Sequence, residues 1–388
     1  MKRTARIVIA TLILFAASGL ADMELPRVTL PLMTTAPTID GVIAEAEWAG
    51  AVRNVGMVSQ HDVKLTDREV VFWTGCDGTN LYIAVKSELP PGGELLTRAV
   101  PDDARDVREA TRDDSVEFVI HPHLDQTKGD RRYFHMIINE RGARYDLSLD
   151  EGDPRNPVDM TWRAVGLVFA SAKQDGWWHV EVAIPLADMG ATSADLSHPW
   201  GLRIGRNFKR GHDQACWESV RHSYHDVPTM PVIEFAAGPP VVQIVSLRAE
   251  DKPRIQINVS NPGDDLLPVT VFVSNAWHHD PATETVEGLA VPPGGTETVT
   301  VEPRHGGPDG DHHTIIGVTS ADEKAVYYVR EFVWRFERPG PNDRWETIKE
   351  DAEAIALEYA VYPYRNKLKA RVDIKALASR DAVTDAQL

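Results

Sequence analysis

The sequence predicts an all-β protein: a first β-sandwich over residues 22–237, then an immunoglobulin-like β-sandwich over 241–336. Three observations carry this reading. Short runs alternate apolar and polar side chains with the period of a strand. Gly, Pro, Asn and Asp turns separate those runs, and helical spacing is confined to one late stretch. At 388 residues the chain also exceeds what one hydrophobic core usually serves, so two or three domains are expected.

Residues 1–21 read as a signal peptide. Lys2, Arg3 and Arg6 form a positive leader, Ile7–Ala17 is apolar but too short to span a bilayer, and Gly19-Leu20-Ala21 ends in small residues. The product is therefore expected to be secreted, periplasmic or at the cell surface. No later stretch suits a transmembrane helix. A net charge of −17 argues against nucleic-acid and anionic-membrane partners, which need a basic footprint. Cys76 and Cys216 are too few for a disulfide scaffold; one bridge and two buried thiols both fit the sequence.

Along the chain, Thr38-Ile39-Asp40-Gly41 is a turn, and Glu45-Ala46-Glu47-Trp48 predicts one helical turn dropping Trp48 onto a core. Glu69–Thr74 and Leu81–Ser87 flank Cys76–Asn80 as a hairpin. Ser87–Thr111 is a long polar loop, a frequent carrier of function. The organising strand follows in Arg112–Pro122, where Val116, Phe118 and Ile120 share one face and Glu117 the other. Its partner is Tyr133–Asn139, with Phe134, Met136 and Ile138 inward and His135 beside Glu117. Arg144–Leu149, Trp162–Ala172, Gly176–Ile184, Gly201–Phe208 and Cys216–Val220 read as further strands, with Val180 and Val182 facing inward.

Gly238-Pro239-Pro240 is the expected boundary. Beyond it Val241–Leu247, Arg254–Val259, Val269–Val273, Thr296–Val301, Thr314–Val318 and Ala325–Phe336 read as strands, and Pro292–Gly295 as a hairpin turn among them. His278-His279 and His312-His313 are adjacent pairs whose side chains diverge in a strand, so no metal site is expected. Residues 337–388 read as a linker, a helix over Trp345–Tyr359 and a partnerless strand-like tail.

Taken in order, these landmarks resemble a family 9 carbohydrate-binding module. The resemblance rests on T-I-D-G with E-A-E-W (38–48), N-L-Y-I-A-V (80–85), D-D-S-V-E-F-V-I (113–120), H-V-E-V-A-I-P (179–185) and W-G-L-R-I-G-R-N (200–207), about 200 residues in all. It implies a sugar held between aromatic rings with polar groups at its edge, since a pyranose offers an apolar face and a rim of hydroxyls. It further implies that Glu117 is the sugar-binding carboxylate, that His135 falls near the family's binding Arg, that Asn207 precedes the ligand loop, and that Tyr224 lies near the second aromatic clamp. Arg206 and Trp217 complete the candidate site. Thr111 stands about where the family's first clamping Trp would precede the D-S-V-E run. The family's metal-supporting Asp is replaced by Ser87-Glu88-Leu89-Pro90, so no cofactor is expected and calcium is left open.

Each residue also has a structural reading. Trp48, Trp162 and Trp200 fit a core, Glu218 can pair with Arg206 or Arg221, and Glu117 with His135 can be a solvated cross-strand pair. A catalytic site needs a nucleophile and base or two flanking carboxylates, and Asp113-Asp114 is an adjacent, turn-bound pair. Haem held between a Met and a His is a third reading, open to Met136, Met160, Met189, His121, His123 and His135. A structural assembly module without ligand is the fourth.

Overall fold

A computed structural model describes residues 25–90, 92–101, 108–125, 131–153, 155, 157–209, 213–220, 224–249, 252–277, 282–302 and 310–337, with the backbone alone of 356–362 and 367–373. The signal-peptide reading, His278-His279 and Arg221 lie outside these residues.

The chain is all-β. Its strands begin with β1 (Arg27–Pro31), β2 (Val52–Val55), β3 (Val58–Ser59), β4 (Val70–Cys76), β5 (Asn80–Glu88), β6 (Ser115–His121), β7 (Arg132–Asn139) and β8 (Arg144–Asp150). They continue with β9 (Val158–Asp159), β10 (Val168–Gln174), β11 (Trp177–Pro185), β12 (Trp200–Phe208), β13 (Asp213–Cys216), β14 (Val232–Ala236), β15 (Val241–Arg248) and β16 (Pro253–Ser260). The last are β17 (Leu267–Trp277), β18 (Thr283–Val291), β19 (Thr296–Val301), β20 (Gly310–Ser320), β21 (Val326–Phe336), β22 (Ala356–Tyr362) and β23 (Lys367–Asp373).

One sheet of 13 strands runs β18-β17-β20-β21-β1-β14-β12-β6-β7-β8-β9, with β13 on β12 and β3 on β13. A second of 8 runs β10-β11-β5-β4-β2-β15-β16-β19. Period-two alternation decides what lies between them: Val116, Phe118, Phe134, Met136, Val180 and Val182 are all core residues at most 2% exposed. The predicted pairing of β6 with β7 is present, antiparallel, with Phe118 opposite Met136.

Both sheets pass the expected boundary at 238–240. β1 lies between β14, to which it is parallel, and β21, to which it is antiparallel. β2 meets β15 at Arg53 and Gln243. The described residues up to Phe336 form one compact unit.

Several local expectations are corrected. Residues 45–50 are turns, closed by Glu47 N–H to Ala44 O and Ala51 N–H to Trp48 O, although Trp48 is fully buried as expected. The strand expected at Cys216–Val220 instead ends at Cys216, and that expected from Trp162 starts only at Val168. Pro292–Gly295 is no hairpin turn: β18 pairs with β17 and β19 with β16, so the turn crosses between sheets. Of the expected helix, 345–355 lie outside the described residues, and Ala356–Tyr359 belong to a strand. The tail strand is not partnerless, because β22 and β23 pair antiparallel.

Candidate functional site

The alternation that fills the core also sorts the polar residues. On β6 the face away from the core carries Ser115, Glu117, Val119 and His121, and on β7 it carries Tyr133, His135, Ile137 and Asn139. β12 adds Arg203, Gly205 and Asn207, since Gly205 stands opposite Glu117 and Asn207 opposite Ser115. Of the six predicted site residues, the structure brings four together on this outer face: Glu117, His135, Asn207 and Tyr224.

Glu117 is the hub. Its Oε1 lies 2.6 Å from His135 Nε2, and its Oε2 accepts a hydrogen bond from Asn207 Nδ2 at 2.7 Å. Asn207 Nδ2 also donates to Ser115 Oγ at 3.1 Å, while Gln214 Nε2 donates to Asn207 Oδ1 at 2.8 Å. Glu117 and His135 are diagonal neighbours, because Glu117 stands opposite Ile137 and His135 opposite Val119. Burial alone would raise the Glu117 pKa, but the His135 and Asn207 hydrogen bonds and the His135 and Lys209 charges hold it below the ordinary carboxylate value. The pair is not solvated, as a surface cross-strand pair would be: Glu117 is 4% and His135 6% exposed.

The cover comes from residues 217–220 and 224–229, and Arg203 holds it. Its guanidinium is fully buried, pairs through Nε with Glu218, and donates from Nη1 to the Tyr224 carbonyl. Nη2 reaches Asp226 O at 3.3 Å, Thr229 O at 3.1 Å and Thr229 Oγ1 at 3.0 Å. Tyr224 lies over Gly205: a Cβ there would sit 2.8 Å from Tyr224 Cε1, so only glycine leaves the ring room beside Glu117. His225, exposed, stands edge-on to His135 with centroids 4.8 Å apart and tilted against Tyr133 at 5.9 Å.

Two predicted residues lie elsewhere. Arg206 follows its neighbour's opposite face into the interior, where it is fully buried beside Trp178 and Phe208 and donates to Ser87 Oγ at 3.1 Å. Its carboxylate partner is Asp114 at 3.4 Å, whereas Glu218, read from the sequence as a partner of either Arg206 or Arg221, pairs with Arg203. Trp217 is 1% exposed, meets Phe72 edge-on at 5.8 Å, and donates its indole N–H to Leu202 O at 3.0 Å. Both are core residues.

Sequence reasoning also missed Gln214 and Lys209. Gln214 stands opposite Asn207 across β12 and β13, and Lys209, half-buried, comes two residues after Asn207. Burial lowers the Lys209 pKa against the pull of Glu117, Asp114 and Asp113. The doublet Asp113-Asp114 staples the preceding loop: Asp113 Oδ2 accepts the Arg98 and Ala99 N–H groups and Asn139 Nδ2, and Asp114 Oδ2 accepts the Leu96 N–H. Those carboxylates are fully buried and hold the loop in place.

Among the described residues no three His, Cys, Asp or Glu side chains gather in a way that could hold a metal ion, and both cysteines are buried free thiols. Met136 lies in the core on the opposite face of β7 from His135, so the two cannot clasp one haem. No described helix is long and apolar enough to cross a membrane.

Although the residue as a whole is exposed, desolvation of the His225 ring where it packs against its neighbours, and then the His135 charge, push its pKa down to about 4. An unfolded histidine titrates near ~6.5, so below that value the unfolded chain takes a proton that the folded chain refuses. His225 should therefore make stability fall as pH drops from ~6.5 towards ~4. Urea midpoints across that range should show a shallower acid slope in His225→Gln; equal slopes would remove His225 from the account.

No protein-family model matches the chain, and no curated protein matches it. Among solved structures, a Bacteroides uniformis protein provisionally described as carbohydrate-binding aligns with 54% of this chain and 98% of its own, at 18% identity and a TM-score of 0.41. A DUF4785-family protein of Legionella pneumophila aligns with 69% of this chain and 56% of its own, at 9% identity and a TM-score of 0.20. A Bacteroides uniformis beta-glucuronidase aligns with 66% of this chain and 26% of its own, at 8% identity and a TM-score of 0.20. All three are distant likenesses, and the chain spans little more than half of the second protein and about a quarter of the third.

Proposed function

We propose that the chain is an exported, noncatalytic carbohydrate-binding protein, or the binding portion of a larger polysaccharide-processing protein. One observation carries the reading: a carboxylate, a carboxamide and an aromatic ring, Glu117, Asn207 and Tyr224, meet at one spot on the outer face. Each Glu117 oxygen accepts one internal hydrogen bond and keeps a further lone pair for a sugar hydroxyl. Asn207 and Gln214 supply amide donors and acceptors, and Lys209 a cation at the margin. The positive leader and apolar run of residues 7–17 support export. With no ring at Thr111 to close the second side of a pyranose, affinity should be nearer millimolar than micromolar, ~4–6 kcal/mol.

The test is a glycan array on the full mature chain, followed by titration of the glycan that binds. Glu117→Gln keeps the side-chain shape and one acceptor oxygen but loses the charge, so binding should weaken by roughly 1–3 kcal/mol. Glu117→Ala is a poorer probe than it would be at an exposed site, because it leaves His135 and Asn207 without their buried partner. An array on which no glycan binds would sink the reading. The burial of Glu117 and His135, 4% and 6% exposed, favours a second reading, a structural assembly module with no ligand. Unchanged binding in Glu117→Gln would move any sugar site off this face.

A further inference from the structure

Arg330 belongs to β21, beyond the expected boundary, yet its hydrogen bonds are to the part of the chain before it. Nε donates to Trp217 O at 3.1 Å, Nη1 to Val55 O at 2.8 Å, and Nη2 to Gly56 O at 2.8 Å. The side chain is buried, with its guanidinium carbon 5.9 Å from the Phe72 ring centroid and 5.0 Å from that of Phe332. Phe72 is the ring that Trp217 meets edge-on. A buried guanidinium anchored on three main-chain carbonyls is a rigid tie, because charge-assisted hydrogen bonds are the strong ones and a fixed fork sets their directions.

The position of the tie gives it a role. The residue after Trp217 is Glu218, partner of Arg203, and Arg203 holds Tyr224, Asp226 and Thr229. Arg330 thus fixes the entry of the covering segment, and Arg203 holds it at Glu218 and again at Tyr224, Asp226 and Thr229. A second route runs in parallel. Tyr328 donates to Asn54 Oδ1 at 2.6 Å, Leu65 N–H donates to Val333 O at 2.7 Å, and Lys64 pairs with Asp311 at 2.6 Å. These fasten the 54–65 stretch, whose strand β3 pairs Val58 with Cys216 and Ser59 with Ala215.

We propose that residues beyond Pro240 position the candidate site, with Arg330 as a positioning residue that sets residues 217–220 and 224–229 over Glu117. The sugar reading is needed only for the binding arm of the test. Amide hydrogen exchange on the full chain supplies the other arm, comparing wild type, Arg330→Met, Arg330→Lys and the core control Val318→Ala. In Arg330→Met the amides of 217–220 and 224–229 should exchange at least tenfold faster while β16 and β19 keep their protection. Arg330→Lys, which keeps the charge but places its donors on a single nitrogen, should fall between it and wild type, and it carries the test alone if the Met variant does not fold. Val318→Ala shrinks a buried side chain of β20 without removing any hydrogen-bonding group, so it should leave 217–220 and 224–229 as protected as the neighbouring strands. Unchanged exchange at 217–220 and 224–229 in both Arg330 variants would overturn the proposal, as would equal acceleration in the control. In the binding arm, the glycan selected by the array should bind Arg330→Met about tenfold more weakly. A wild-type chain that binds no glycan defeats the sugar reading, and the exchange result still decides the role of Arg330.

Discussion

Arg203→Met is expected to cost about 3–5 kcal/mol, because it removes one partner of a fully buried ion pair and leaves the other charge unpaired. Glu218 loses its guanidinium contact, and the carbonyls of Tyr224, Asp226 and Thr229 lose their donor together. Burial already pushes the Glu218 pKa up to about 7 despite Arg203. Without Arg203 it should rise further and the carboxyl should take a proton. A folded carboxyl that titrates above its unfolded value of ~4.3 gives stability that is fully present below that value and lost as pH rises through the folded pKa. The variant should accordingly lose more at pH ~8 than at pH ~5. Replacing both partners, as in Arg203→Met with Glu218→Leu, removes the buried charge and should recover part of the loss. Recovery stays partial because the three carbonyls remain without their donor. Urea titration of the wild type and the two variants at two pH values checks this, and a single-variant cost below ~1 kcal/mol would mean that water reaches Glu218.

The strands of the first sandwich were legible where side chains alternate, because a period of two is a local property that burial on one face writes into the sequence. Val116, Phe118, Phe134, Met136, Val180 and Val182 follow from it directly, and so does the placing of Glu117 on the other face. The same rule forbids Arg206 and Asn207 from sharing a face, since they are adjacent on one strand; counting both in the site ignored it. What alternation cannot show is what covers the outer face. The clamp of Arg203 on residues 224–229 spans more than twenty positions, and nothing in its immediate neighbours marks it as more than a polar strand residue. The junction of the two halves was hidden for a related reason. β1 and β14 have only five residues each, and R-V-T-L-P ends in proline, so neither stands out as a strand until β21 pairs with β1. Gly238-Pro239-Pro240 is a true break in local pattern, but local pattern says nothing about strands that pair across it.

Trp48→Ala should cost about 3–5 kcal/mol, and its cause explains why several sequence landmarks occur together. Glu181, fully buried on β11, accepts the Trp48 indole N–H on Oε1 at 3.0 Å. Its Oε2 accepts the main-chain N–H groups of Asp40 at 3.1 Å and Gly41 at 2.8 Å. T-I-D-G, E-A-E-W and H-V-E-V-A-I-P therefore meet at one carboxylate, which latches the 38–48 segment onto the sheet. Gly41 has φ +89, and a Cβ there would come within 3.1 Å of the Ser171 backbone, so this corner also requires glycine. Trp48→Ala opens a cavity and removes one donor, whereas Trp48→Phe keeps much of the volume and removes the same donor, so it should cost distinctly less. Glu181→Ala leaves three N–H groups without their acceptor, at roughly 1–3 kcal/mol for each that water cannot reach. The indole–carboxylate hydrogen bond is lost in both single variants, so the Trp48→Ala, Glu181→Ala double variant should cost less than the sum, by ~0.5–3 kcal/mol. Denaturant midpoints for the four proteins settle it. Strict additivity would show that the indole and the carboxylate stabilise the fold independently, and the latch would then reduce to the burial of one large ring.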